Sequence, residues 1–110
     1  MEIMIKTIDQ VTVVDITGDI DGKTAPEAQA HILPLLEPGC KVMLDMSRVD
    51  YMSSAGLRMM LSMHRQTAGN QGQLILVGLS EEIQDTMSAT GFLNFFTIQD
   101  TAEAGLASLK

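Results

Sequence analysis

Apolar residues recur along the chain with two different periods, and the changes of period mark out its elements. Residues 1–7 alternate, with Ile3 and Ile5 on one parity and Glu2, Met4 and Lys6 on the other. After a short turn at Asp9 and Gln10, residues 11–16 read VTVVDI, a run rich in β-branched side chains. Two short strands this close together predict an antiparallel hairpin, free to form a sheet edge. Residues 42–44 (VML) and 73–77 (QLILV) are unbroken apolar runs, as in strands covered on both faces. Between them Leu57, Met60, Leu61 and Ala68 share one helical face, so a helix is predicted over 54–68 and ended by the GNQG of 69–72. A strand, a helix and a strand in that order make a right-handed parallel crossover.

The remaining segments carry start and stop signals. Thr24 and Glu27 have the spacing of a capping box, Pro26 suits a first turn, and Ala25, Ala28, Ile32 and Leu35 form a stripe. Pro34 must kink or end that helix, and Pro38-Gly39 closes the segment. Ser80 is the cap expected for a helix over 81–89, with Glu81 and Glu82 at the positive end of its dipole and Gly91 just beyond its end. A last strand is predicted over 95–98. Thr101, after Asp100, then caps a closing helix with apolar positions Ala102, Leu106 and Leu109. The order β-β-α-β-α-β-α-β-α predicts one α/β domain over 1–110, a mixed and mostly parallel sheet with flanking helices. The pattern leaves open whether the helices cover one face or both.

Composition narrows the function. Fourteen acidic against seven basic residues give a net charge of -7. Little of this chain can neutralise phosphates, so nucleic acid is not an expected partner. The charge fits a protein that is monomeric when free. No signal peptide or long apolar run is present, so no membrane contact is expected and the cytoplasm is the default compartment. Cys40 is alone, which excludes an internal disulfide or a cysteine metal cluster. It is expected to be a half-buried structural thiol.

The chemistry is concentrated in residues 45–61, DMSRVDYMSSAGLRMML. An apolar strand leads in, a helix leads out, and Ser53 and Ser54 stand at the helix start. Either serine could simply cap the helix. A helix N-terminus also presents unpaired N–H groups that favour a phosphate, so one serine can cap while its neighbour is modified. Ala55 and Gly56 are too small to cover that hydroxyl. A nucleophilic serine needs a base in reach. The histidines are His31, in mid-helix, and His64, expected to pack on its helix. Asp19, Asp21, Asp45 and Asp50 lack metal-motif spacing, and no phosphate-binding glycine loop is present. No catalysis, cofactor or metal is expected.

This stretch resembles the phosphorylatable loop of anti-sigma factor antagonists, the bacterial STAS domains. Asp45, Met46, Ser47, Val49, Tyr51, Met52, Ser54, Gly56 and Leu57 are in step with the family pattern. Upstream, GDIDGKTAPE keeps the family's Gly18, Asp21, Thr24 and Ala25, and residues 73–98 resemble its strand-helix-strand ending. The resemblance implies a non-enzymatic partner-switching regulator. The unphosphorylated form would bind a GHKL-type serine kinase that is also the anti-sigma factor. Phosphorylation of Ser54 would release it, and a PP2C-type phosphatase would restore it. The runner-up acceptor is Ser53, which stands where the family has Asp, while Ala55 replaces a Ser or Thr. The expected partner surface joins Asp21, Gly22 and Thr24 to Ser53, Ser54, Ala55, Gly56 and Arg58, with Asp21 as a contact whose loss barely affects stability. The alternative is a STAS interaction or scaffold module that acts without phosphorylation and not on a sigma factor.

Overall fold

The computed structural model describes residues 1–109. Five strands and four α-helices follow the predicted order. They are β1 (Glu2–Ile8), β2 (Val11–Thr17), α1 (Thr24–Ile32), β3 (Lys41–Arg48), α2 (Ser54–Gly69), β4 (Gln73–Val77), α3 (Glu81–Ala89), β5 (Thr97–Gln99) and α4 (Ala102–Leu109). The strands lie side by side in chain order. β1 pairs antiparallel with β2, and every later pair is parallel. Asp9 and Gln10 both take positive φ, 51° and 70°, which matches the twist of a two-residue hairpin turn. The crossover through α2 places Val42 beside Leu74 and Leu44 beside Leu76, as its apolar runs require.

The helices divide unequally between the faces. α1, α2 and α3 pack over Val14, Ile16, Leu44, Met46 and Leu76. α4 alone covers Val11, Val13, Met43, Ile75 and Val77 on the other side. β3 is therefore covered twice, and Val42, Met43 and Leu44 are buried completely or nearly so. α4 comes so close that a Cβ on Gly105 would lie 2.6 Å from Met43 Sδ and Val77 Cγ1.

Several local expectations need correction. The buried side of α2 is Leu57, Met59, Met60, Met63 and Thr67. Leu61 lies at its margin and Ala68 is exposed. Thr67 is tolerated there because its hydroxyl donates to the Met63 and His64 carbonyls. The strand predicted over 95–98 begins later. Gly91 takes a left-handed turn at φ 80°, Phe92–Phe95 form a 3-10 turn, and pairing starts at Thr97. That turn lays Phe96 against the His64 ring, with centroids 5.3 Å apart. Pro34 does end α1, and Leu33–Leu35 continue as a single 3-10 turn.

Candidate functional site

The site is built where β2 and β3 end. A single parallel bridge joins Ile20, in the loop after β2, to Met52, in the loop after β3. The Ile20 N–H donates to the Tyr51 carbonyl at 2.9 Å, and the Ser53 N–H donates to the Ile20 carbonyl at 2.8 Å. Ile20 and Met52 are themselves buried. The first loop is thus fastened to the start of α2, and the two sequence motifs become one surface.

Asp21 organises the first half. Its Oδ1 accepts the N–H groups of Lys23 at 2.9 Å and Thr24 at 3.0 Å. Thr24 Oγ1 in turn accepts the Asp21 N–H at 2.9 Å and donates to the Asp19 carbonyl at 2.7 Å. The Ala25 N–H donates to the Asp21 carbonyl, the first bond of the helix. This is a reciprocal capping box, but between Asp21 and Thr24. The expected Thr24–Glu27 box does not form, because the Thr24 hydroxyl is turned back into the loop. The same bonds give Asp21 a part in shaping the loop as well as a place on its surface.

The N–H groups of Thr24 and Lys23 hold the Asp21 carboxyl below the usual carboxylate range. A depressed folded-state pKa contributes stability that is present above the unfolded value of about 3.9 and is lost as pH falls through the folded value. Asp21→Asn should keep the cap, since Asn caps as well as Asp, but flatten this acid-side dependence. Melting temperatures of both forms from neutral pH down to pH 2 check it, about the range over which the carboxyl titrates. Parallel curves would show that the carboxylate contributes nothing specific.

Ser53 organises the second half. It is the N-cap of α2 in extended conformation, and its Oγ accepts the Gly56 N–H at a long 3.4 Å. Ser54 is the first helical residue, is exposed, and makes no side-chain hydrogen bond among the described residues. Ala55 is half-buried and Arg58 exposed. Gly56 is buried, and its smallness serves packing rather than access. A Cβ there would lie 2.5 Å from Met52 Cγ, 2.9 Å from Ile20 Cγ2 and 3.1 Å from the Ile20 carbonyl.

Between α1 and α2 runs an open groove of about 300 Å³, lined in part by Gly22, Ala25, Pro26, Ala55, Arg58 and Met59. Tyr51 stands beside the site with 55% of its surface exposed. In the sequence Tyr51 stands out only as a motif position. Its aromatic ring in a polar loop was the signal that it could offer a contact.

The other candidates stay apart from this surface. The His31 Nδ1 lies 2.9 Å from the Glu27 carbonyl, and His64 packs on phenylalanines. Cys40 is half-buried, and burial pushes its thiol up. Asp45 accepts hydrogen bonds from the Ser47 N–H and hydroxyl. Among the described residues no group of His, Cys, Asp and Glu could hold a metal ion. No helix among them is long and apolar enough to cross a membrane.

A bridged pair of loops over a five-stranded mixed sheet, with a serine pair opening the central helix, defines a class that comparison identifies directly. Residues 2–105 match the STAS domain. The chain is 31% identical over 111 residues to BtrV of Bordetella bronchiseptica, named as an anti-sigma factor antagonist, with 100% of this chain and 96% of that protein covered. An anti-sigma factor antagonist structure from Thermotoga maritima superposes with a TM-score of 0.90 at 19% identity, covering 97% of this chain and 93% of that one. Bacillus SpoIIAA in its phosphorylated form superposes at 0.74 and 17% identity, over 99% of this chain and 100% of that one. The chain belongs to the STAS domain family, and is a non-catalytic regulatory module.

Proposed function

We propose that the protein is an anti-sigma factor antagonist that switches partners through phosphorylation of Ser54. Unmodified, it binds a GHKL-type serine kinase that also holds a sigma factor. Phosphorylated, it lets go, and a PP2C-type phosphatase resets it. The observation that carries this reading is the Ile20–Met52 bridge, which sets an exposed Ser54 hydroxyl beside the Asp21 loop. The surface offered to the kinase is Asp21, Gly22 and Tyr51 with Ser54, Ala55 and Arg58, flanking the α1–α2 groove. Thr24, Ser53 and Gly56 hold that surface in shape. The likeness to BtrV over the whole chain supports an antagonist role. The fold shared with SpoIIAA, solved both with and without phosphate, supports a fold that tolerates the modification.

The division between the serines rests on their geometry. Ser53 spends its oxygen on the cap, while Ser54 points its hydroxyl outward from the first turn. Incubation with the cognate kinase and labelled ATP, followed by peptide mapping, is expected to place the label on Ser54. Ser54→Ala should remain unlabelled, and Ser53→Ala should still accept phosphate. Label on Ser53 would move the acceptor by one residue. Ser53 in place of the family's Asp favours a second reading, an interaction module that works without phosphorylation. Intact-mass measurement of protein from its native cells separates the two. A single added phosphate in some growth condition supports the switch, and its absence from every condition supports the module.

A further inference from the structure

The two edges of the sheet differ. β5 is three residues long, whereas β1 runs seven residues with no strand on its outer side among the described residues. A strand of that length presents a row of unpaired N–H and C=O groups, and natural proteins usually blunt such an edge. Here Glu2 and Lys6 are the charges on the strand, and between them stand Met4, 66% exposed, and Ile5, 46% exposed.

Backbone parity restricts what can pair there. In a two-residue hairpin the residues flanking the turn, Ile8 and Val11, form a hydrogen-bonded pair. Bonding to β2 then falls on Ile8, Lys6, Met4 and Glu2. The N–H and C=O groups of Ile3, Ile5 and Thr7 face outward. A second antiparallel β1 must pair odd residues with odd residues. Of the registers that allow this, one sets Met4 opposite Met4, Ile3 opposite Ile5, and Glu2 opposite Lys6. That register matches both charges and covers both exposed apolar side chains.

We propose that the β1 edge is a self-association surface, on which a second copy of this chain pairs antiparallel about Met4. The strands would join into one continuous sheet with a two-fold axis normal to it. Like faces stay together, so α4 of each copy lies on the same side. Because β1 reverses between copies, the loops after β2 and β3 project from opposite ends. Both Ser54 surfaces remain open, and the pairing is independent of the switch. Sequence charge alone suggests a monomer, but -7 is a net figure, and the edge itself carries one acid and one base.

The charges make the test internal. Glu2→Lys puts lysine opposite lysine in a homodimer, and Lys6→Glu puts glutamate opposite glutamate. Asp15 pairs with Lys6 at 3.3 Å and lies opposite Met4, diagonal to both positions. Sedimentation equilibrium over a concentration series is expected to show a monomer–dimer equilibrium for the unaltered chain. Each single variant should weaken it by about tenfold or more, from like charges facing one another at two symmetric pairs. An equimolar mixture of the two variants should dimerise again, because every facing pair is then opposite in sign. Circular dichroism melts confirm that both variants fold. A chain that stays monomeric up to millimolar concentration overturns the proposal. So do single variants that dimerise as well as the parent, or a mixture that fails to recover.

Discussion

Phosphorylation of Ser54 is expected to weaken kinase binding by about a hundredfold and to shift the melting temperature by only a few degrees. The fold tolerates the group because Ser54 is exposed and lies in the first turn of α2, where N–H groups without intrahelical partners face outward. A dianion there is favoured by the helix dipole. Docking is another matter. The phosphate adds about two negative charges beside loops that carry Asp19, Asp21 and Asp50 against Lys23 and Arg58. It must also shed its water against a kinase site that handles ATP, itself an anion. About 2.7 kcal/mol, the equivalent of a hundredfold, is modest for charges buried against like charges. Ser54→Ala should bind as tightly as the unmodified protein and resist release. Ser54→Asp, with one charge for two, should lose about tenfold. Titration calorimetry of all four forms checks the order. Equal affinity for the phosphorylated and unmodified proteins would remove Ser54 from the interface.

Gly56→Ala is expected to cost about 1–3 kcal/mol, as overpacking of a filled site does, and to weaken kinase binding as well. The added methyl would have to displace Met52, the Ile20 side chain and the Ile20 carbonyl together. Met52 can adjust, being long and unbranched. The Ile20 carbonyl cannot move freely, because it accepts the Ser53 N–H at 2.8 Å. Relief comes by lifting the start of α2 away from the first loop, which separates the two halves of the surface. Gly69, at the other end of the same helix, meets nothing within 4 Å of an added Cβ. Gly69→Ala should therefore gain about 0.5–1 kcal/mol through the unfolded chain and helix propensity. Urea midpoints moving in opposite directions for the two variants would confirm the contrast. A Gly56→Ala protein as stable as its parent would mean that α2 is not clamped to Ile20.

The order of elements along the chain and the central crossover were readable because runs such as VML at 42–44 and QLILV at 73–77 allow few other placements. The choice of faces was not readable. α4 has no longer an apolar stripe than α1, and what sends it to the opposite side is close approach at Gly105, a tertiary fit. Residues 92–98 misled for a related reason. Phenylalanines favour strands, but Gly91 turns the chain and Phe96 finds a place against His64 before the sheet is reached. At the site, both serines and Asp21 stood out by motif. The Thr24–Glu27 spacing pointed to one capping box, and the Asp19 carbonyl draws the Thr24 hydroxyl into another, with Asp21. The bridge from Ile20 to Met52 spans residues far apart in sequence and carries no local signal at all.

That bridge is made by main-chain atoms alone. Its N–H and C=O groups belong to Ile20, Tyr51 and Ser53, and they depend on the side chains around them only where one crowds the join, as at Gly56. Asp19, Gly22, Lys23, Asp50 and Tyr51 can thus be exchanged without loosening the join. The fastening is insensitive to the lettering around it. Substitution at those positions can then rewrite what a partner reads while the mounting of that surface is inherited unchanged.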